Sequence, residues 1–165
     1  MNSCRILVID DNPSIHDDFR KTLCGSDVEH SALDSKHELL FGTDKPVRDS
    51  LKFEIDAAHQ GEEGLDRIVQ ARQEGRPFQL AFVDIRMPPG WDGVETIEHI
   101  WTADPDVQLV ICSAYSDYSA GDIVARLGFS DRLLMLRKPC DAVEIQLMAT
   151  ALCRKWQLAQ MMQMA

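Results

Sequence analysis

The sequence has no basic excess. Its 165 residues carry 17 Lys and Arg against 27 Asp and Glu, a formal net charge of −10. A nucleic-acid surface needs clustered cations to displace counterions from phosphates, so no nucleic-acid contact is expected. Long hydrophobic runs are missing as well. No stretch stays apolar over the ~20 residues that a bilayer-spanning helix requires. The start, MNSCRILVID, lacks a basic flank followed by an apolar core of signal-peptide length. These absences predict a cytoplasmic protein without membrane contact. The cysteines (Cys4, Cys24, Cys112, Cys140, Cys153) form no CxxC pair and the histidines no HExxH pattern. They read as small buried hydrophobes or surface thiols, not as zinc ligands. GxGxxG, P-loop and GxSxG patterns are absent, which removes the usual signatures of dinucleotide, nucleotide and hydrolase sites. No internal repeat or low-complexity segment interrupts the chain.

What is present is globular. Apolar residues make up 45% of the chain, and the length suffices for one well-buried core. Residues 5–9 (RILVI), 79–84 (QLAFVD), 107–112 (VQLVIC) and 133–136 (LLML) are short, apolar, β-branched-rich runs, the pattern of strands buried on both faces. Residues 53–57 alternate apolar with acidic, as a half-exposed strand does. Between these runs lie helical spacings: Ile15, Phe19 and Leu23; Leu65, Ile68, Val69 and Arg72 within 61–75; Val94, Ile97, Ile100 and Trp101; a weakly patterned stretch over 116–128; and a last helix from near Asp141 to the end. Residues 25–52 show no sustained period. They read as an insertion, with one short helix around 35–41. The order is β-α-insertion-β-α-β-α-β-α-β-α. Strict alternation predicts an α/β, flavodoxin-like, doubly wound five-stranded parallel sheet with strand order 2-1-3-4-5 and a long extended C-terminal helix.

Ligands in such sheets bind beyond the carboxyl ends of the strands. Asp10 and Asp11 follow the first strand and Asp84 ends the third. Ser113 follows the fourth and Lys138 follows the fifth. Clustered carboxylates repel and call for a cation. Water-accessible carboxylate oxygens suit Mg²⁺, with Mn²⁺ as a substitute, and Mg²⁺ favours phosphate. Lys138 and Ser113 then offer a charge and a donor to a phosphoryl group.

The motifs ILVIDDNP, FVDIRMPPGWDG, VICSAYS and LRKP together resemble the receiver domain of two-component response regulators in bacterial signalling. The resemblance runs from about Arg5 to about Leu152, apart from the insertion. It implies that Asp84 accepts a phosphoryl group from a histidine kinase or histidine phosphotransfer protein. Asp11, Asp10 (directly or through water), Asp84 and the backbone carbonyl of Arg86 would hold Mg²⁺. Lys138 would pair with the phosphoryl oxygens, Ser113 would bond one of them, Ala114 would leave access open, and Pro139 would be the family's cis-proline. A binding-only pseudo-receiver, indifferent to phosphate, is the alternative. The resemblance makes residues 1–152 the receiver and 153–165 a helical extension toward an output module. It implies no enzymatic activity beyond the domain's own phosphorylation and dephosphorylation. A homodimer is expected through the 116–128 helix, the 133–136 strand and the last helix.

The sequence departs from the family pattern in places. Met135 stands where an aromatic switch residue is usual. Arg86 and Tyr115 flank the approach of hydrolytic water, and their bulk is expected to lengthen the phosphoryl lifetime. Trp91 lies in an expanded loop, where it would cover the site, a partner face or the core. The stripe Ile145, Met148, Leu152, Trp156, Ala159 and Met162 marks a helix longer than one sheet needs. This long-insertion pattern resembles the N-terminal receivers of hybrid kinases and of cyclic-di-GMP enzymes.

Overall fold

The computed structural model describes residues 3–25, 51–114 and 118–164. Five strands, β1 (Ser3–Ile9), β2 (Lys52–Ala58), β3 (Leu80–Asp84), β4 (Gln108–Ser113) and β5 (Leu133–Arg137), form one sheet in the order β2-β1-β3-β4-β5. Every pairing is parallel. The helices are α1 (Pro13–Cys24), α2 (Gly61–Gln73), α3 (Gly93–Ala103), α4 (Ala120–Leu127) and α5 (Ala142–Gln163). The helix expected around 35–41 and most of the insertion lie outside the described residues.

Alternation along the strands sorts the core into two layers. Leu7, Ile9, Ala81, Val83, Leu109 and Ile111 face α2, α3 and α4, where they meet Ile68, Val94, Ile97, Ile100 and Ile123. Cys4, Ile6, Val8, Leu80, Phe82, Val110 and Cys112 face α1 and α5, where they meet Phe19, Leu23, Ile145, Ala149 and Leu152. The three central strands are buried on both faces, which is why they read as unbroken apolar runs. At the edge, β2 keeps Glu54 and Asp56 partly exposed, and Asp56 pairs with Arg5 at 3.0 Å.

Two helices differ from their expected form. The fourth begins at Ala120, not at 116, because a capping box sets its start. Ser119 Oγ accepts from the Asp122 N–H at 3.1 Å, and Asp122 Oδ2 accepts from the Ser119 N–H at 3.2 Å. The last helix is capped by Asp141, whose Oδ1 accepts from the Val143 N–H at 2.8 Å. It runs unbroken through 152 and 153, and its apolar stripe is covered only in its first half. Ile145, Ala149, Leu152 and Cys153 are buried, whereas Met162 is 80% exposed.

The cysteines correct the sequence reading. Cys4 and Cys153 form a disulfide, with Cα atoms 6.2 Å apart across 149 residues. Sequence spacing could not reveal it, because only the fold lays α5 across the start of β1. Among the described residues, no helix is long and apolar enough to cross a membrane.

Candidate functional site

Alternation also builds the site. Continuing Cys4, Ile6 and Val8 by two residues places Asp10 on the face of α1 and α5, and continuing Leu80 and Phe82 places Asp84 there. The β1–β3 register aligns Val8 with Phe82, so the next in-facing pair is Asp10 and Asp84. The two carboxylates are nearly buried, at 3% and 7% exposure, and Asp11 beside them is exposed. One oxygen from each of the three lies within 4.8 Å of the others.

Lys138 comes to this cluster from the far side of the sheet. Its Nζ donates to Asp84 Oδ1 at 3.0 Å and to Asp10 Oδ2 at 3.2 Å. The peptide bond between Lys138 and Pro139 is cis. The Lys138 N–H donates to the Ser113 carbonyl at 2.8 Å, tying the end of β5 to the end of β4. Burial opposes the ammonium, but the bond to Asp84 and the charges of Asp10 and Asp84 outweigh it and hold Lys138 well above its usual pKa. At Asp84 burial, then the charge of Asp10, push the carboxyl above its usual range. Lys138 and the Arg86 N–H, which donates to the carboxylate, pull back against that rise. The second oxygen of Asp10, Oδ1, accepts from the Asn12 N–H at 2.9 Å.

Thus Asp10, Asp11, Asp84 and Lys138 are brought together, with Arg86 two residues beyond Asp84. The Ser113 side chain is buried, and its hydroxyl donates to the Ala114 carbonyl at 3.1 Å. Met135 lies level with Ile111 on the opposite face, half-buried against the α2–α4 layer. Tyr115 lies outside the described residues. Trp91 stacks on His99 of α3, with ring centroids 4.0 Å apart, so it packs on that helix.

Sequence reasoning missed several parts of the site's frame. Asp92 caps α3 through Oδ1, accepting from the Glu95 N–H at 2.8 Å, and accepts from the Tyr118 hydroxyl through Oδ2 at 3.0 Å. The spacing of Asp92 and Glu95 before an apolar run was the available signal for the cap. Gly93 allows α3 to start directly under the site, because a Cβ there would stand 2.5 Å from the Asp84 carbonyl oxygen. A cavity of about 390 Å³ opens beside the cluster between α1 and the start of α5.

Three hard carboxylate oxygens at this spacing, one of them exposed, fit a small divalent cation that keeps part of its water shell. The lysine is placed to meet an anionic group beside Asp84.

The family model for the response regulator receiver domain matches residues 34–150, a stretch that holds Asp84, Ser113 and Lys138 but begins after Asp10 and Asp11. The transcriptional regulatory protein ZraR of Klebsiella oxytoca is 30% identical over 95 residues, which are 58% of this chain and 19% of that protein. The uncharacterized transcriptional regulatory protein YesN of Bacillus subtilis is 28% identical over 91 residues, 55% of this chain and 22% of that protein. The chain thus spans about a fifth of these curated relatives. An adenylate cyclase structure from Rhodopirellula baltica superposes with a TM-score of 0.68 at 22% identity, covering 96% of this chain and 93% of that one. A CheY-like receiver structure from Methanospirillum hungatei gives 0.64 at 20% identity, covering 94% and 98%. At these identities the structures speak for the fold alone.

Proposed function

The chain belongs to the response regulator receiver domain family, and on that premise we propose that Asp84 is its phosphoacceptor. Receivers are phosphoacceptor modules of two-component signalling, served by histidine kinases or phosphotransfer proteins, and are not catalytic enzyme domains. The observation that carries the assignment is the Lys138 ammonium held between Asp84 and Asp10 at the carboxyl edge of the sheet.

The chemistry follows from the arrangement. An Asp84 carboxylate oxygen attacks the phosphorus, and the bond from phosphorus to the donor's imidazole nitrogen breaks as an acyl phosphate forms. The transition state is loose, so orientation and charge provide most of the acceleration. Lys138 pulls the Asp84 carboxyl back toward its ionised form against the effect of burial and is within reach of the transferred oxygens. A divalent cation, Mg²⁺ or Mn²⁺, held by Asp10, Asp11, Asp84 and the Arg86 carbonyl, would supply further positive charge to the phosphoryl group. Ser113 would leave the Ala114 carbonyl to bond a phosphoryl oxygen, with Ala114 itself too small to obstruct it. Met135, on the opposite face of the sheet and level with Ile111, would repack in response, and Arg86 and Tyr115 would slow the approach of hydrolytic water.

The output follows the same reading. Movement at Ser113 would reach α4, the edge strand β5 and α5, where Phe129 between α4 and β5, Leu134 of β5 and Leu147 of α5 are exposed. This face would form a phosphorylation-dependent homodimer. Residues 1–152 act as the receiver, and 153–165 continue α5 toward an output module.

The test is phosphorylation by acetyl phosphate with Mg²⁺, read by intact mass. Wild type is expected to gain one phosphoryl group, and Asp84→Ala to gain none. A wild type that takes up neither phosphoryl nor beryllofluoride would leave the phosphate-indifferent interaction module as the reading.

A further inference from the structure

Two cysteines border the site and play no part in the reaction. Cys112 is the penultimate residue of β4, level with Asp84 across the β3–β4 ladder and buried. Cys140 follows Pro139, is half-buried, and packs against the core layer that contains Cys112. Both side chains lie in the same core layer and border the same cavity, and the neighbouring Cys140 side chain pushes the Cys112 thiol up. The backbone bond from the Lys138 N–H to the Ser113 carbonyl holds the two segments side by side. Both thiols line the 390 Å³ cavity, which opens between Thr22 of α1 and Ala142 of α5.

We propose that Cys112 and Cys140 form a peroxide-reactive dithiol that closes to a disulfide at the floor of the phosphorylation site. The Cys140 sulfur, the more accessible of the two, attacks one peroxide oxygen. The O–O bond breaks, the other oxygen leaves as water with the thiol proton, and Cys140 becomes a sulfenic acid. The Cys112 sulfur then displaces the sulfenic oxygen, which leaves as a second water. Both sulfurs are oxidised and one peroxide is reduced. The cavity that both sulfurs border admits the small oxidant, and their approach would be supplied by the residues between β5 and the Asp141 cap.

Pairing with the existing disulfide is excluded by distance. Through the β1–β3–β4 register, Cys4 and Cys112 stand six residue levels apart on the same face, about 20 Å at the rise of a strand.

Closing the bond would draw Cys140 toward β4 and shift Lys138, two residues before it. On the reading of Asp84 as phosphoacceptor, oxidation therefore lowers phosphoryl uptake, by about tenfold or more for a displacement near 1 Å. The experiment treats Cys24→Ser protein with hydrogen peroxide, digests it without reductant, and identifies linked peptides by mass, with Cys140→Ser added in parallel. A Cys112–Cys140 link that is absent in the Cys140→Ser variant supports the dithiol. Sulfinic acid at Cys140 without a link, or new links other than the existing Cys4–Cys153 bond, overturns it. Acetyl phosphate labelling before and after oxidation tests the consequence. A fall in the linked protein that dithiothreitol reverses supports it, and an unchanged rate in the linked protein overturns it. Failure of the reduced protein to label at all would count against Asp84 as acceptor, while the peptide link would still decide the dithiol.

Discussion

Replacing Lys138 by Met tests the electrostatics of the site most directly. The side chain keeps much of its length and loses only its charge, leaving Asp10 and Asp84 facing each other. At 3.0 and 3.2 Å, and with an effective dielectric of about 20, each attraction is worth about 5 kcal/mol before other costs. The lysine is 27% exposed, and removing it also removes its own desolvation, which leaves a net loss of about 3 kcal/mol, the low end for breaking a buried pair. For a chain of this size that lowers Tm by roughly 6–12 °C. The loss must also depend on pH. It is greatest where both carboxylates are ionised and shrinks as acid protonates Asp84, whose titration already lies above the usual range. Urea denaturation of metal-free wild type and Lys138→Met, from pH 8 downward, measures it. Acetyl phosphate labelling of the variant should fall by about 10²-fold or more. A stability difference that stays constant across the pH range would mean that Lys138 contributes packing only, and would refute the argument.

Three further outcomes follow. Because Asp84 titrates higher folded than unfolded, its contribution to stability is present in acid and lost as pH rises through its folded titration. Asp84→Asn should therefore match wild type in acid and become the more stable protein at neutral pH without divalent cations, as melting curves would show. Gly93→Ala places a methyl against the Asp84 carbonyl and should cost about 1–3 kcal/mol, read from the denaturation midpoint. Alkylation of denatured protein without reductant should label three of the five cysteines, and all five after reduction; five labels without reductant would contradict the Cys4–Cys153 bond.

The strands were legible because β1, β3 and β4 are buried on both faces, which leaves unbroken apolar runs in the sequence. Asp10, Asp84, Ser113 and Lys138 could be placed near one another once a parallel sheet put every strand end on the same edge. Other features depend on distance in three dimensions. Nothing in the spacing of Cys4 and Cys153 marks them as partners, and Cys112 and Cys140 border one cavity only because the chain after β5 stays beside the end of β4. The start of α4 was misplaced because its apolar pattern is weak, while the cap formed by Ser119 and Asp122 is a local signal that outweighs it. The long stripe on α5 showed which face is apolar but not how far along the helix the domain covers it.

Asp92 gives the scaffold a mechanical property. Its two carboxylate oxygens hold different segments: one fixes the first turn of α3, the other tethers Tyr118 ahead of α4. A single rigid carboxylate thus works as a clasp between the loop that leaves Asp84 and the loop that leaves Ser113. A substitution at Asp92 would therefore reach two segments at once, the start of α3 and the residues just before α4.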